Sequence, residues 1–456
     1  MGGGALEEIR REKKEIPGQA AGGRPGPYAY YVLGLLTALN LLDYLDRYII
    51  ASVQSLVRRD FAISDARFGF FGTLFFLVYL ATAPVFGYLG DRFPRRGILA
   101  LGAILWSLAT AGSSLATAYL WLLLTRGLVG IGEASFGTIS PPFLADFFPV
   151  HRRGRVMAIF FLTIPAGAAL AYLIAGWLGE TMGWRFCFLL VGLPGLLLAI
   201  PIFFLKEPVR GGMDAPWAGF SPPGPEPGGA DFSYPARVRQ VVRSYRELIR
   251  SRSYLFTNLG YAALTFAIGG MAFWMPRYLE TIKGVSFEES NHLTGSVVAL
   301  AGLFGTLAGG FGGDLLMRRT RRAYLLLSGA GVLLAIPFAL AAIFSPERRV
   351  YVPCLAAAVF CLFLNTGLLN AVIVSVSPPR LRSTAVAANI VIIHVLGDAP
   401  SPFLIGWVSD LSSLQAGILL AVAAMLVSGV LLLAGSRHLP GDLDAVAGLA
   451  RGTGEV

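Results

Sequence analysis

The chain has 456 residues, of which 55% are hydrophobic and 14% charged, with a net charge of +10 and a mean hydropathy of +0.65. This lies far from the composition of a soluble domain, and apolar runs of ~20 residues, enough to cross ~30 Å of hydrocarbon, recur along nearly the whole length. Strand-like alternation over ten-residue blocks is absent, which makes a β-barrel a poor fit.

Residues 1–27 are polar and basic (Arg10, Arg11, Lys13, Lys14), then rich in Gly and Pro. With no small-residue cleavage site and a first apolar run too long for a signal peptide, they are expected to form a retained cytosolic tail. Twelve transmembrane helices are predicted, over 28–57, 66–91, 96–115, 118–146, 153–180, 184–206, 254–281, 288–316, 321–345, 348–378, 382–411 and 413–438. The expected fold is all-α and integral to the membrane. Residues 28–206 form one six-helix bundle, 207–252 a cytosolic linker, 253–438 a second bundle and 439–456 a C-terminal tail. The linker opens with Pro/Gly-rich sequence and then runs Arg237 to Arg250. Its apolar positions 238, 241, 242, 245, 248 and 249 make one helical stripe among arginines. That pattern fits a basic helix lying on the inner membrane surface, or one packed on cytosolic loops. Cys187, Cys354 and Cys361 sit in apolar runs and imply no disulfide framework.

Of the 37 Lys and Arg, 27 fall in the termini and in the loops after even-numbered helices, and Arg47 and Arg126 fall inside the spans. The asymmetry puts both termini in the cytoplasm. The positive charge is thus topological, and no nucleic-acid partner is expected. A monomer in a bacterial inner membrane is the expected setting.

The two halves repeat. Gly87-Tyr88-Leu89-Gly90-Asp91-Arg92-Phe93-Pro94-Arg95-Arg96 is answered by Gly310-Phe311-Gly312-Gly313-Asp314-Leu315-Leu316-Met317-Arg318-Arg319, Pro149 to Arg153 by Pro378 to Arg382, and Ile174 to Trp177 by Leu404 to Trp407. Three ordered matches at nearly constant offset indicate a duplicated six-helix unit.

Charges inside the spans point to the site. On helix 1, Asp43, Asp46 and Arg47 share an arc of roughly 100°. Each costs at least ~2.5 kcal/mol against lipid, so they are expected to line a wet interior. On helix 4, Arg126 and Glu133 stand seven apart on one face, with Gly130 leaving room beside them. Asp46 and Glu133 are the expected neighbours of Arg126. Arginine does not release its proton, so the acids must titrate. Tyr44, Tyr48, Trp274, Asn365, Asn370, His394 and Asp398 are further cavity candidates, each equally readable as a packing residue. The paired Gly269-Gly270 and Pro276 invite a bend in helix 7.

The loop after helix 2 resembles the signature of the major facilitator superfamily. The resemblance implies a cytosolic gate in which Asp91 meets the N-terminus of helix 11 and Asp314 faces helix 5. Asp146 would pair with arginines among Arg92, Arg95, Arg96 and Arg153, and Arg318 belongs to the repeat of that loop. The string Asn40-Leu41-Leu42-Asp43-Tyr44-Leu45-Asp46-Arg47, together with Arg126 to Ala134, is similar to the Spinster group, proton-linked transporters associated with lysophospholipids and sphingoid-base phosphates. This resemblance implies Asp46 and Glu133 as proton-binding carboxylates and Arg126 as their counter-charge or the anchor of an anionic substrate. Arg47 would balance Asp46. Asp43 departs from the group's neutral residue and reads as a third acid or as the partner of Arg47. The expected function is a proton-coupled secondary transporter of an amphipathic, lysolipid-like anion, with the proton as coupling ion and no cofactor. A small organic anion as substrate, or a non-transporting membrane sensor, are the alternatives. No metal cluster, Gly-x-Ser-x-Gly or phosphate loop supports an enzyme or ATP driving.

Overall fold

The computed structural model describes residues 19–20, 24–208, 210, 213, 246–378 and 381–452. Apart from two paired two-residue strands, β1 (Gln19–Ala20) and β2 (Arg24–Pro25), the described regular structure is helical. The expected linker helix lies outside the described residues except for 246–250, which are helical with Leu248 buried.

The first half contains α1 (Pro27–Ser52), α2 (Gln54–Phe61), α3 (Asp65–Arg92), α4 (Arg95–Ser113), α5 (Tyr119–Ala145), α6 (Val150–Phe161), α7 (Thr163–Met182) and α8 (Trp184–Phe203). The second contains α9 (Arg252–Thr281), α10 (Phe287–Met317), α11 (Ala323–Phe344), α12 (Arg348–Phe363), α13 (Leu368–Ser375), α14 (Arg382–Ile393), α15 (Pro400–Leu411) and α16 (Leu414–Ser436), followed by α17 (Leu439–Gly452). A π-helical turn, His394–Asp398, joins α14 to α15. Local chemistry marks the ends. Pro27 opens α1, where its missing N–H costs nothing. Ser64, Ser251, Ser286 and Ser413 cap α3, α9, α10 and α16 by accepting from the backbone N–H three residues on. Gly183, at φ 82°, stops α7.

Among the described residues ten helical stretches are long and apolar enough to cross a membrane, with α6–α7, α12–α13 and α14–α15 each contributing one continuous stretch. The helices α1 and α5 are not among them, although they span 26 and 27 residues. They carry the intramembrane charges, and those charges lower their hydropathy. Trp177, Phe204 and Phe311 are each more than 70% exposed, as suits a surface solvated by lipid.

The same pairings occur in both halves. The pairs α3–α5, α4–α5 and α4–α8 correspond to α10–α12, α11–α12 and α11–α16, and α1–α7 corresponds to α9 against α14 and the π turn. Two contacts join the halves most extensively, α3 on α15 and α7 on α10. The first is close because glycines permit it. A Cβ on Gly69 would strike the Pro402 carbonyl, and one on Gly406 the Asp65 carbonyl.

Candidate functional site

Between the halves lies a cavity of about 290 Å³. Tyr44, Arg47, Tyr48 and Arg126 reach it from the first half; Tyr261, His394 and Asp398 reach it from the second. Tyr48 also borders a smaller apolar chamber of about 60 Å³, lined by Tyr172, Met271, Met275 and Leu362 among others.

The five intramembrane charges separate into two groups. In the first, Arg126 Nη1 donates to Asp46 Oδ1 at 3.0 Å. Its Nη2 donates to Ser113 Oγ at 2.9 Å, and the Thr110 hydroxyl donates to the other Asp46 oxygen. Ser113 in turn donates to Thr125, and Phe188 lies beneath the guanidinium at 4.9 Å. Both charged side chains are almost wholly buried. In the second group, Arg47 Nη2 and Nε both donate to Glu133 Oε2, at 2.7 and 3.1 Å, and Asp43 stands 3.6 Å from Nη2. The guanidinium lies among the rings of Tyr44, Phe75, Phe76 and Tyr79, at 4.7 to 6.0 Å. Arg47 keeps 17% of its side-chain exposure, against 3% for Arg126, so the cavity meets Arg47 first.

This corrects two expected pairings. Glu133 bonds Arg47, not Arg126, and Asp46 bonds Arg126, not its neighbour Arg47. Residues adjacent on a helix point ~100° apart, so Asp46 and Arg47 meet α5 at different places, Asp46 at Arg126 and Arg47 at Glu133, two turns further along. Asp43 stands one turn from Arg47 and shares its face.

The other candidates divide. His394 Nδ1 meets Asp398 Oδ2 at 2.8 Å in the π turn, and the imidazole stacks on Phe76. Both residues line the cavity. Trp274 does not: it is fully buried and donates to the Pro402 carbonyl at 3.0 Å, packing the α9–α15 contact. Asn365 is buried and donates to its own helix at Leu362, which removes it from the cavity. Asn370 is exposed and meets the Tyr261 hydroxyl at 3.4 Å.

At the end bearing the basic loops, Arg95 reaches Asp146 at 2.6 Å and Glu207 at 3.3 Å. Glu207 accepts from the first backbone amides of α4, and Arg210 donates to the carbonyls of Gly90, Asp91 and Phe93 at the end of α3. An acid at a helix N-terminus and a cation at a C-terminus both suit the helix dipole. Arg96 bonds the Leu205 carbonyl, and Arg153 those of Ala145 and Phe148. Arg92 stacks on Tyr88, and Arg318 is exposed. Asp91 does not meet the start of α14: among the described residues its exposed carboxylate has no partner. Asp314 does not face α7 either; it accepts from Tyr324 at 2.8 Å.

The opposite end is closed. Asp65 binds Arg58 at 2.9 Å and Arg277 at 3.3 Å, and accepts from Ser409 at 2.5 Å. Asp410 accepts from the amides of Asp65 and Ala66, both at 2.8 Å, so a carboxylate of α15 caps α3 across the interface. The rings of Phe68, Phe71, Phe273 and Trp274 pack beneath.

Sequence reasoning missed Thr110, Ser113 and the Asp65–Asp410 cluster. Two hydroxyls spaced three apart in an apolar helix were a usable signal for the first pair. The last has none, because its members lie some 345 residues apart.

Residues 36–402 match the Major Facilitator Superfamily pattern. The chain is 34% identical over 435 residues to protein spinster homolog 1 of Bos taurus, covering 89% of this chain and 79% of that one. It is 32% identical over 429 residues to the sphingosine-1-phosphate transporter SPNS2 of Xenopus tropicalis, covering 89% and 80%. This chain belongs to the major facilitator superfamily and is related to its Spinster members. It is therefore a membrane transport protein of the secondary-active kind and not an enzyme.

Among solved structures, a bacterial homologue of the human lysosomal transporter Spinster, inward-facing and unoccupied, shares the fold at a TM-score of 0.78 and 24% identity, covering 91% of this chain and 98% of that one. A D-xylose–proton symporter shares it at 0.70 and 15%, covering 89% and 97%. The expected placement in a bacterial inner membrane is corrected by the curated relatives, which are animal Spinster proteins. Charge asymmetry distinguishes the two faces of a membrane but carries no information about which membrane it is.

Proposed function

We propose that the protein is a proton-coupled transporter of a lysolipid-like amphipathic anion, working by alternating access. In this reading all twelve spans cross the membrane as two six-helix bundles, with both termini and the basic loops in the cytoplasm. The protein acts as a monomer in the bilayer. The observation that carries the reading is the Arg47–Glu133 pair facing a cavity that adjoins an apolar chamber. A headgroup anion takes Arg47 and a tail takes the apolar side. Both need only what lines the two spaces.

Coupling follows from competition. An anion that binds Arg47 displaces Glu133, and a carboxylate left without its cation in a dry site costs several kcal/mol, so it takes a proton. Arg47 becomes the anchor in place of Arg126, whose terminal nitrogens bond Asp46 and Ser113 and whose side chain is 3% exposed. Asp46 is held by Arg126 and Thr110 and serves to orient α1 against α4 and α5.

The test is flux in proteoliposomes with an imposed pH gradient, comparing a lysophospholipid with a small organic anion. The gradient should drive the lysophospholipid, and Glu133→Gln should abolish that drive while the protein still folds. Gradient-driven transport unchanged in Glu133→Gln sinks the coupling assignment. Movement of the organic anion alone sinks the lipid assignment.

A further inference from the structure

The Arg47 group contains one cation and two carboxylates. Glu133 holds Arg47 through two hydrogen bonds, whereas Asp43 at 3.6 Å lies beyond hydrogen-bonding distance. Both acids are buried, Asp43 3% exposed and Glu133 not at all. Each has an oxygen, Asp43 Oδ1 and Glu133 Oε1, with no hydrogen-bond partner.

Among the described residues the surroundings offer no second cation. On α1, Tyr44 and Tyr48 are phenols, which supply no cation, and Asp46 is taken by Arg126. From α3 comes Tyr79, whose ring lies 5.7 Å from the Arg47 guanidinium. From α5 come Glu133 itself and Arg126, which is already paired. Across the cavity His394 and Asp398 bond one another. With both acids ionised, the group would carry an uncompensated negative charge out of contact with water, at a cost of several kcal/mol.

We propose that Asp43 is a second proton-binding group of the transport site, neutral while Glu133 pairs with Arg47, so that an anion reaches Arg47 only when both carboxyls are protonated. The inference rests on the proton-coupled reading above and adds its stoichiometry. With Asp43 neutral, an arriving monoanion breaks one ion pair and one proton from the open side joins Glu133. With Asp43 ionised, at alkaline pH, two carboxylates hold Arg47 and two protons must enter. Asp43 thereby sets the alkaline limit of substrate binding.

The experiment measures binding of a lysophosphatidylglycerol to the full chain in lipid nanodiscs as a function of pH. Its phosphodiester keeps a single negative charge throughout, so any pH dependence belongs to the protein. On the alkaline side, wild-type affinity should fall roughly 100-fold per pH unit, the slope of two linked protons. For Asp43→Asn it should fall roughly tenfold, and for Asp43→Asn combined with Glu133→Gln it should be flat. Asp43→Ser gives the same slope as Asp43→Asn, because either change removes the ionisable group. Infrared spectra of the unliganded protein at neutral pH should show a protonated-carboxyl band that Asp43→Asn removes. Equal slopes in wild type and both Asp43 variants, or a band that survives Asp43→Asn, overturn the role of Asp43. A wild type whose affinity does not change with pH overturns the coupled reading beneath it.

Discussion

Arg47 and Arg126 have the same chemistry and opposite situations, and the difference lies in their exposure and in how fully their acids are bonded. Arg126 and Asp46 are held by each other and by the hydroxyls of Thr110 and Ser113, whereas Glu133 and Asp43 each leave an oxygen unpartnered. A buried carboxylate with both oxygens bonded, as in Asp46, is held; one with an open oxygen beside a cavity is free to exchange partners. A third pair, outside the spans, serves another end. At the tip of α2, the Arg185 guanidinium bonds Asp60 and, with the Trp184 indole, holds its carboxyl below the usual value of 3.8. A lowered value means that the stabilisation is present above pH ~4 and is lost as the pH falls through the value in the folded protein. The pair is exposed, so its worth lies within ~0.2–1 kcal/mol. Thermal melting of Asp60→Asn should therefore fall below wild type by no more than about 2 °C at pH 6, and the gap should close in strong acid. A gap that widens in acid contradicts this. The five intramembrane charges were legible in sequence as a set. The pairing of Asp46 with Arg126 was legible too, but that of Glu133 with Arg47 was not, because both acids and both arginines sit on the same two helices and spacing alone does not choose between them.

Elements meet most closely where α3 crosses α15. Gly69 and Gly406 bring two backbones together there, and the side chains of Pro402 and Trp274 fill the remaining space. Gly406→Leu would drive a side chain into the Asp65 backbone. Overpacking of this kind costs ~1–3 kcal/mol, and parting α3 from α15 relieves it. The expected outcome is faster labelling of a cysteine at position 273 by a membrane-impermeant thiol reagent, with the three native cysteines replaced. Unchanged labelling means that this contact does not hold the end shut. The matching elements at the basic end are tied by a segment that reads as the start of a loop. Glu207 caps α4 and Arg210 caps α3, so residues just past α8 fix the turn that carries the signature motif. The motif itself was visible as a repeat. Its clamp was not, since the partners are over 100 residues apart.

On the scale of the whole molecule, the halves touch at one end through Asp65, Arg58, Arg277, Ser409 and Asp410. At the basic end Asp91 and Asp314 remain exposed. The halves are thus bonded to one another beside α2, whereas the signature-loop carboxylates are open to solvent. Asp410 is the member on which the balance turns, because it supplies acceptors to two amides that a helix N-terminus otherwise leaves unmet. Asp410→Ala removes a cap worth ~0.5–2 kcal/mol, which shifts the equilibrium toward opening of this end by roughly 2- to 30-fold. Distances between spin labels at Ala62 and Ser412 should show a second, longer population in the variant. A single unchanged population contradicts the assignment.

Sequence by itself determined that this is an all-helical membrane protein, that its halves repeat, and that buried charge gathers on α1 and α5. Each of these is a matter of composition, periodicity or spacing along the chain, and lipid enforces them by penalising any unbonded backbone or charge. Only the tertiary structure decided that Glu133 meets Arg47 and not Arg126, and that Trp274 and Asn365 pack away from the cavity. It also decided that a carboxylate of α15 caps α3 from the far side of the molecule. Those are choices of rotation about a helix axis and of contact between segments hundreds of residues apart. No local pattern carries that information.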